Sequence, residues 1–232
     1  MITAVQKPFG EIYTMVQGVP RLLVLGCGTC VTVCMAGGEK EAGILASALR
    51  LANREKGVSM QIETETIERQ CDREFFDPVR EKIEQADAVL SMACGVGVQF
   101  ASEVFAGKRV FPALNTRFYG TTEQQGVWSE RCAGCGTCVL DRFGGVCPVA
   151  RCSKSLLNGP CGGSQNGMCE VDPKGTQCGW QLIYDRLKLL GLLATLEENQ
   201  PARDWSTGRD GGLLIHDRPL FLRLLRRSRE RR

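Results

Sequence analysis

Long apolar runs, histidine and a surplus of one charge are what this sequence lacks. No stretch approaches the roughly eighteen apolar residues in a row that mark a membrane-spanning helix, so no transmembrane segment is expected. The opening residues, MITAVQKPFGEIYTMVQGVP, show no basic stretch followed by an apolar one and do not read as a signal peptide. A reducing cytoplasm is therefore the expected compartment. The formal net charge is only +3, and its Lys and Arg residues are spread along the chain among balancing acids, which argues against a nucleic-acid partner. The single histidine, His216, stands in a loop beside a basic end and reads as solvated. No catalytic residue is nominated. GVGVQF (Gly95–Phe100) lacks the third glycine of a dinucleotide fingerprint, and CGGS and GGEKE read as turns rather than phosphate cradles. No internal repeat is evident.

Cysteine is present in excess, with thirteen in 232 residues. The remainder, 43% hydrophobic and 24% charged, is ordinary globular composition with enough chain for a core. Disulfides would need export, and an odd number leaves one thiol outside any fully paired scheme. Clustered thiols in a reducing compartment point instead to metal or redox chemistry.

Short apolar runs alternate with helical periods from about residue 21 to 116. RLLVLG (Arg21–Gly26), VSMQIETETI (Val58–Ile67), DAVLSMAC (Asp87–Cys94) and RVFPAL read as strands. Between them lie GGEKEAGILASALRLANREKG, with Ile44, Ala48, Leu49 and Leu51 at helical spacing, then DPVREKIEQA and VGVQFASEVFAG. This order predicts an α/β fold, a small doubly wound parallel sheet, over residues 1–120. TRFYGTTEQQGVWSE then reads as a polar linker into a cysteine-rich module, residues 121–180. In residues 181–232, QLIYDRLKLLGLLATLEE (Gln181–Glu198) reads as one amphipathic helix, apolar at Leu182, Ile183, Leu187, Leu190 and Leu193. A basic amphipathic tail, PLFLRLLRRSRERR, closes the chain; it reads as solvated, with docking to an acidic partner or an anionic membrane as weaker alternatives.

Five cysteines fall in the first region. Cys27, Cys30 and Cys34 follow the first of these strands, Cys71 the second, and Cys94 ends the third. Ligands of open parallel sheets gather beyond the carboxyl ends of the strands, so these thiols are expected to converge on one edge. Four would suffice for a thiolate site, leaving one spare. One such residue alone reads as a small buried hydrophobe; cysteine at three strand ends, with a C-x2-C among them, favours metal.

The module carries eight more: Cys132, Cys135, Cys138, Cys147, Cys152, Cys161, Cys169 and Cys178. C-x2-C-x2-C followed by Cys-Pro is the ferredoxin arrangement for a [4Fe–4S] cubane. Here the gap before Cys147-Pro148 is eight residues rather than three, and the fourth ligand could be Cys147, Cys152 or a later cysteine. Eight cysteines suffice for two four-thiolate sites, and zinc remains open for the wider-spaced Cys161, Cys169 and Cys178.

GCGTCVTVCMAGGEKE, ERQCD, DAVLSMACGVGVQF, ERCAGCGTCVL, GGVCPVARCSKSLLNGPCGGSQNGMCEV and ARDWS together resemble the small MetV-type iron–sulfur subunit of two-subunit methylenetetrahydrofolate reductases, the methylenetetrahydrofolate reductase C-terminal domain family. The resemblance spans residues 12–206 and is most specific over Cys132–Val171. It implies two or more [4Fe–4S] clusters on the cysteines above and a flavin-containing, MetF-like catalytic partner; further electron-donor subunits could join. The flavin is expected in the partner only, and the chain is expected to be non-catalytic alone in the one-carbon, reductive acetyl-CoA pathway. A structural or assembly subunit with zinc or iron–sulfur sites is the alternative, and an independent redox or metal-dependent enzyme the third reading.

Overall fold

The computed structural model describes residues 1–206 and 208; His216 and the basic tail lie outside the described residues. Near-continuous apolar runs form the central strands because both of their faces are covered. The strands β2 (Arg21–Cys27), β3 (Gln61–Ile67), β4 (Ala88–Ser91) and β5 (Arg109–Pro112) make an all-parallel sheet in the order β3-β2-β4-β5. The order reverses between β2 and β4, so the crevice expected to receive a ligand opens beyond the end of β2.

Alternate residues of β2 feed two cores. Leu22 and Val24 pack with Ala42, Leu45, Ala46 and Leu49 of α3 (Glu39–Glu55), while Leu23 and Leu25 pack with Phe76, Ile83, Ala101 and Phe105. The second core is closed by α4 (Arg80–Gln85) and α5 (Gly95–Val104). The expected α/β architecture with helices on both faces of a parallel sheet is thus present. The buried stripe of α3 differs from the expected one: Ile44 and Leu51 face solvent, at 59% and 58% exposure. Small alanines let that helix approach the sheet closely, and its rotation follows them rather than its largest side chains.

A second sheet lies outside the sequence-based expectation. β1 (Ile2–Gln6), β6 (Leu114–Gln124) and β7 (Val127–Cys132) form an antiparallel sheet in the order β1-β6-β7. The stretch expected to be a polar linker is therefore a hairpin, turning at Gly126 with a φ of 87°. It gives no alternating apolar signal because most of β6 is exposed, so pairing rather than burial holds it. The short α1 (Phe9–Met15) and α2 (Cys30–Val33) complete the first region.

The cysteine-rich module has little regular structure: α6 (Pro148–Arg151), α7 (Gly179–Leu190) and loops. The helix expected over Gln181–Glu198 ends early. Gly191 takes a left-handed φ of 70°, the usual C-terminal stop, and a 3₁₀ turn follows at Leu193–Glu197. The module's fully buried core is small: Phe143, Cys178, Trp180, Ile183 and Leu187. Phe143 meets Trp180 edge to face at 5.6 Å, and the Trp180 indole N–H donates to the Leu156 carbonyl at 3.1 Å.

Candidate metal centres

The first group of thiols is set by the parallel sheet. Cys27 is the last residue of β2, Cys94 is the N-cap of α5 just beyond β4, and Cys71 lies in the loop after β3. The Cys27 Sγ stands 4.0 Å from the Glu68 carbonyl, which joins the end of β2 to the loop carrying Cys71. The Cys71 thiol is pushed up by its partial burial and then by the neighbouring Cys27 and Cys94 thiols. These three share one neighbourhood although sequence separates them widely. Cys30 opens α2, three residues past Cys27.

Cys34 behaves differently. It is 5% exposed, and its sulfur sits between the Ala4 N–H at 3.5 Å and the Ala4 carbonyl at 3.6 Å, with the Val31 carbonyl also at 3.6 Å. Burial pushes its thiol up. It anchors β1 to α2 as a core residue, apart from Cys27, Cys71 and Cys94.

Sequence reasoning missed Gln70, the neighbour of Cys71. Its side chain is fully buried; Nε2 donates to the Leu25 carbonyl at 2.8 Å and the Gly26 carbonyl at 3.1 Å. Its Oε1 accepts from the Ser91 hydroxyl at 2.6 Å, and that hydroxyl in turn accepts from the Ala93 N–H at 3.3 Å. One amide thus ties the ends of β2 and β4 to the loop that carries Cys71. The only sequence signal was a glutamine beside a strand end, which carries no information about burial.

The module's thiols fall into two groups. Cys132 ends β7, and the chain turns through Gly134 and Gly136, both with positive φ (61° and 84°), past Cys135 to Cys138. The Gly134 N–H donates to the Cys132 Sγ at 3.4 Å. Cys147 caps α6, accepting from the Ala150 N–H at 3.5 Å, with Pro148 at the first helical position. Backbone N–H groups aimed at sulfur are the contacts that stabilise thiolate and tune clusters.

The other four share a cavity. Cys152, Cys161, Cys169 and Cys178 line a single cavity of about 10 Å³, with Lys154, Ser164, Glu170, Gly179 and Trp180 completing its wall. The Ser153 hydroxyl, 3.4 Å from the Cys169 sulfur, and nearby backbone N–H groups pull that thiol down. Cys152 closes α6 and Cys178 caps α7, so the two helix ends bring the outer pair together.

All thirteen cysteines are free thiols. Among the described residues, no three His, Cys, Asp or Glu side chains stand in coordination geometry about one point. The donor chemistry nevertheless suits soft metals, and the module suits a metal staple. A core this small, without disulfides, is below what usually holds such a loop-rich unit together. No helix among the described residues is long and apolar enough to cross a membrane.

Residues 111–206 match a family model described as methylene-tetrahydrofolate reductase C terminal. The match takes in all eight module cysteines and links this part of the chain to methylenetetrahydrofolate reductases. No curated protein and no solved structure matches the chain.

Proposed function

We propose that this chain is an iron–sulfur electron-transfer subunit that works with a flavin-containing, MetF-like methylenetetrahydrofolate reductase subunit in one-carbon metabolism. The observation that carries the reading is the meeting of Cys27, Cys71 and Cys94 beyond three strand ends, with Cys152, Cys161, Cys169 and Cys178 lining one cavity and Cys34 hydrogen-bonded into β1. Cys27, Cys30, Cys71 and Cys94 would hold one [4Fe–4S] cluster, and Cys132, Cys135, Cys138 and Cys147 a second. Clusters bound there would supply single-electron transfer, which a flavin can accept stepwise and deliver as hydride. The chain's own residues present thiolates and direct backbone N–H groups at them. The family match over residues 111–206 supports the reductase association.

A second reading has its own observation. Cys152, Cys161, Cys169 and Cys178 line one small cavity, and four thiolates are the donor set of a tetrahedral zinc ion. We assign this set a structural zinc, with the electron-carrying role kept for the other two.

The test is anaerobic copurification followed by rapid mixing. Reduced chain is expected to reduce the flavin of the copurified partner while being unable to reduce methylenetetrahydrofolate by itself. Turnover by the chain alone, or a flavin left oxidised by an iron-loaded chain, would overturn the reading.

A further inference from the structure

The ARDWS run (Ala202–Ser206) contains no cysteine, yet it is laid against one of the cysteine sets. Residues 198–206 and 208 lie against the module and are tied down at successive points. Glu198 is paired with Arg142 at 2.9 Å. Asn158 and Gln200 exchange two hydrogen bonds: the Asn158 amide donates to the Gln200 carbonyl at 3.0 Å, and the Gln200 N–H donates to Asn158 Oδ1 at 2.7 Å. Arg203 then reaches the C-x2-C-x2-C loop. Its Nη2 donates to the Thr137 carbonyl and to the Cys135 Sγ, 2.6 Å from the sulfur. The guanidinium lies over the Trp205 ring at 5.4 Å. Further on, a Cβ at Gly208 would stand 2.9 Å from the Cys135 carbonyl carbon and 3.1 Å from the Gly134 oxygen. The strap therefore meets the loop backbone to backbone, at a position where a side chain would have to displace it.

Arg203 has an unusual set of partners for a cation. Among the described residues it forms no ion pair, and its buried Nε has no acceptor. Its contacts are a carbonyl and a sulfur. A neutral thiol is a weak acceptor, whereas a thiolate takes a charge-assisted bond from guanidinium. The placement of a fixed positive charge on Cys135 is thus favourable when that sulfur is a metal-bound thiolate.

We propose that Arg203 is a positioning residue of the Cys132–Cys147 set, clamping its loop and raising the reduction potential of the cluster bound there. The proposal rests on the reading of Cys135 as a cluster ligand. Reduction adds negative charge to the thiolate-bound centre. A hydrogen-bonded cation at a ligand sulfur stabilises the reduced form more than the oxidised one, so the potential moves up. Trp205 and Gly208 hold the strap over the loop.

The test uses the full anaerobically purified chain, with Arg203→Leu and Arg203→Lys. Redox titration followed by electron paramagnetic resonance should show one cluster potential moved to more negative values in Arg203→Leu, with iron per chain unchanged and the other cluster unmoved. Arg203→Lys, which keeps the charge and loses the fork, should give a smaller shift in the same direction. Amide exchange over residues 133–138 should quicken in Arg203→Leu. An unchanged potential at wild-type iron content would overturn the tuning role, as would equal shifts of both clusters. If Arg203→Leu fails to hold iron, the Lys variant decides, and its potential remaining at the wild-type value refutes the proposal. A wild-type chain without iron refutes the cluster reading and the tuning role with it. Exchange over 133–138 then still tests the clamp by itself, which an unchanged rate in Arg203→Leu overturns.

Discussion

Replacing Gln70 by Leu removes the amide that joins the ends of β2 and β4 to the Cys71 loop. The cost follows from which partners are left stranded. The Leu25 carbonyl still accepts from the Met92 N–H at 2.8 Å and remains satisfied. The Gly26 carbonyl stays within the β2–β3 ladder, so the group left stranded is the Ser91 hydroxyl, which loses its acceptor at 2.6 Å in a fully buried setting. An orphaned buried polar group costs about 1–3 kcal/mol, a sizeable share of the roughly 5–15 kcal/mol stability of a typical domain. Leucine has nearly the shape of glutamine and should leave little cavity, so the loss is assigned to the stranded hydroxyl. Urea unfolding should show a lower midpoint with an unchanged slope. Ser91→Ala in the same background should add little, because the two side chains act as one unit, and a double-mutant cycle should give a coupling of about 1–2 kcal/mol. A Gln70→Leu loss below about 1 kcal/mol, or full additivity with Ser91→Ala, would refute the latch. Iron at the first set should fall with it, since Cys71 is the next residue along.

Cys94→Ala should remove about four irons per chain, one cubane's worth, whereas Cys34→Ala should leave iron unchanged and cost about 1–2 kcal/mol as a core truncation; metal analysis of the two proteins separates ligand from packing residue. Gly97→Ala should destabilise by about 1–3 kcal/mol in urea unfolding, because the new Cβ would lie 2.7 Å from the Ala93 Cβ and 3.0 Å from the Gln70 Cβ. At the opposite edge of the sheet, Asp87 is held below the usual carboxylate range, first by its hydrogen bond to Arg21 and also by that residue's charge. A depressed carboxylate contributes stability that is present above its unfolded value, about pH 4, and is lost as pH falls through the lower folded value. Asp87→Asn should therefore be less stable than wild type at pH 7, with the gap closing in more acid solution, as followed by thermal unfolding against pH.

The parallel strands were legible in the sequence because burial on both faces makes β2 and β4 short apolar runs, while β3 at the edge alternates with period two. Strand ends bearing Cys27, Cys71 and Cys94 followed from the same runs. What the sequence hid was structure held by pairing or by polar contacts. The β6–β7 hairpin is mostly exposed and gives no alternation, and Gln70 looks like a surface residue until the loop folds over it. The α3 face was misjudged because Ile44 and Leu51 outweigh alanine in any apolar pattern, although close packing on the sheet favours the smaller side chain. In the module, spacing alone left open whether Cys147 or Cys152 completes the first set; Cys147 caps the start of α6, while Cys152 at its end lines the cavity with Cys161, Cys169 and Cys178.

Iron, acid-labile sulfide and zinc measured together on the anaerobically purified full chain test the central claim most directly. Two cubanes on the first two sets and one ion on the third correspond to about eight irons, eight sulfides and one zinc per chain, in a brown protein. A colourless chain holding zinc without sulfide would contradict the account and leave a metal-stapled scaffold in its place.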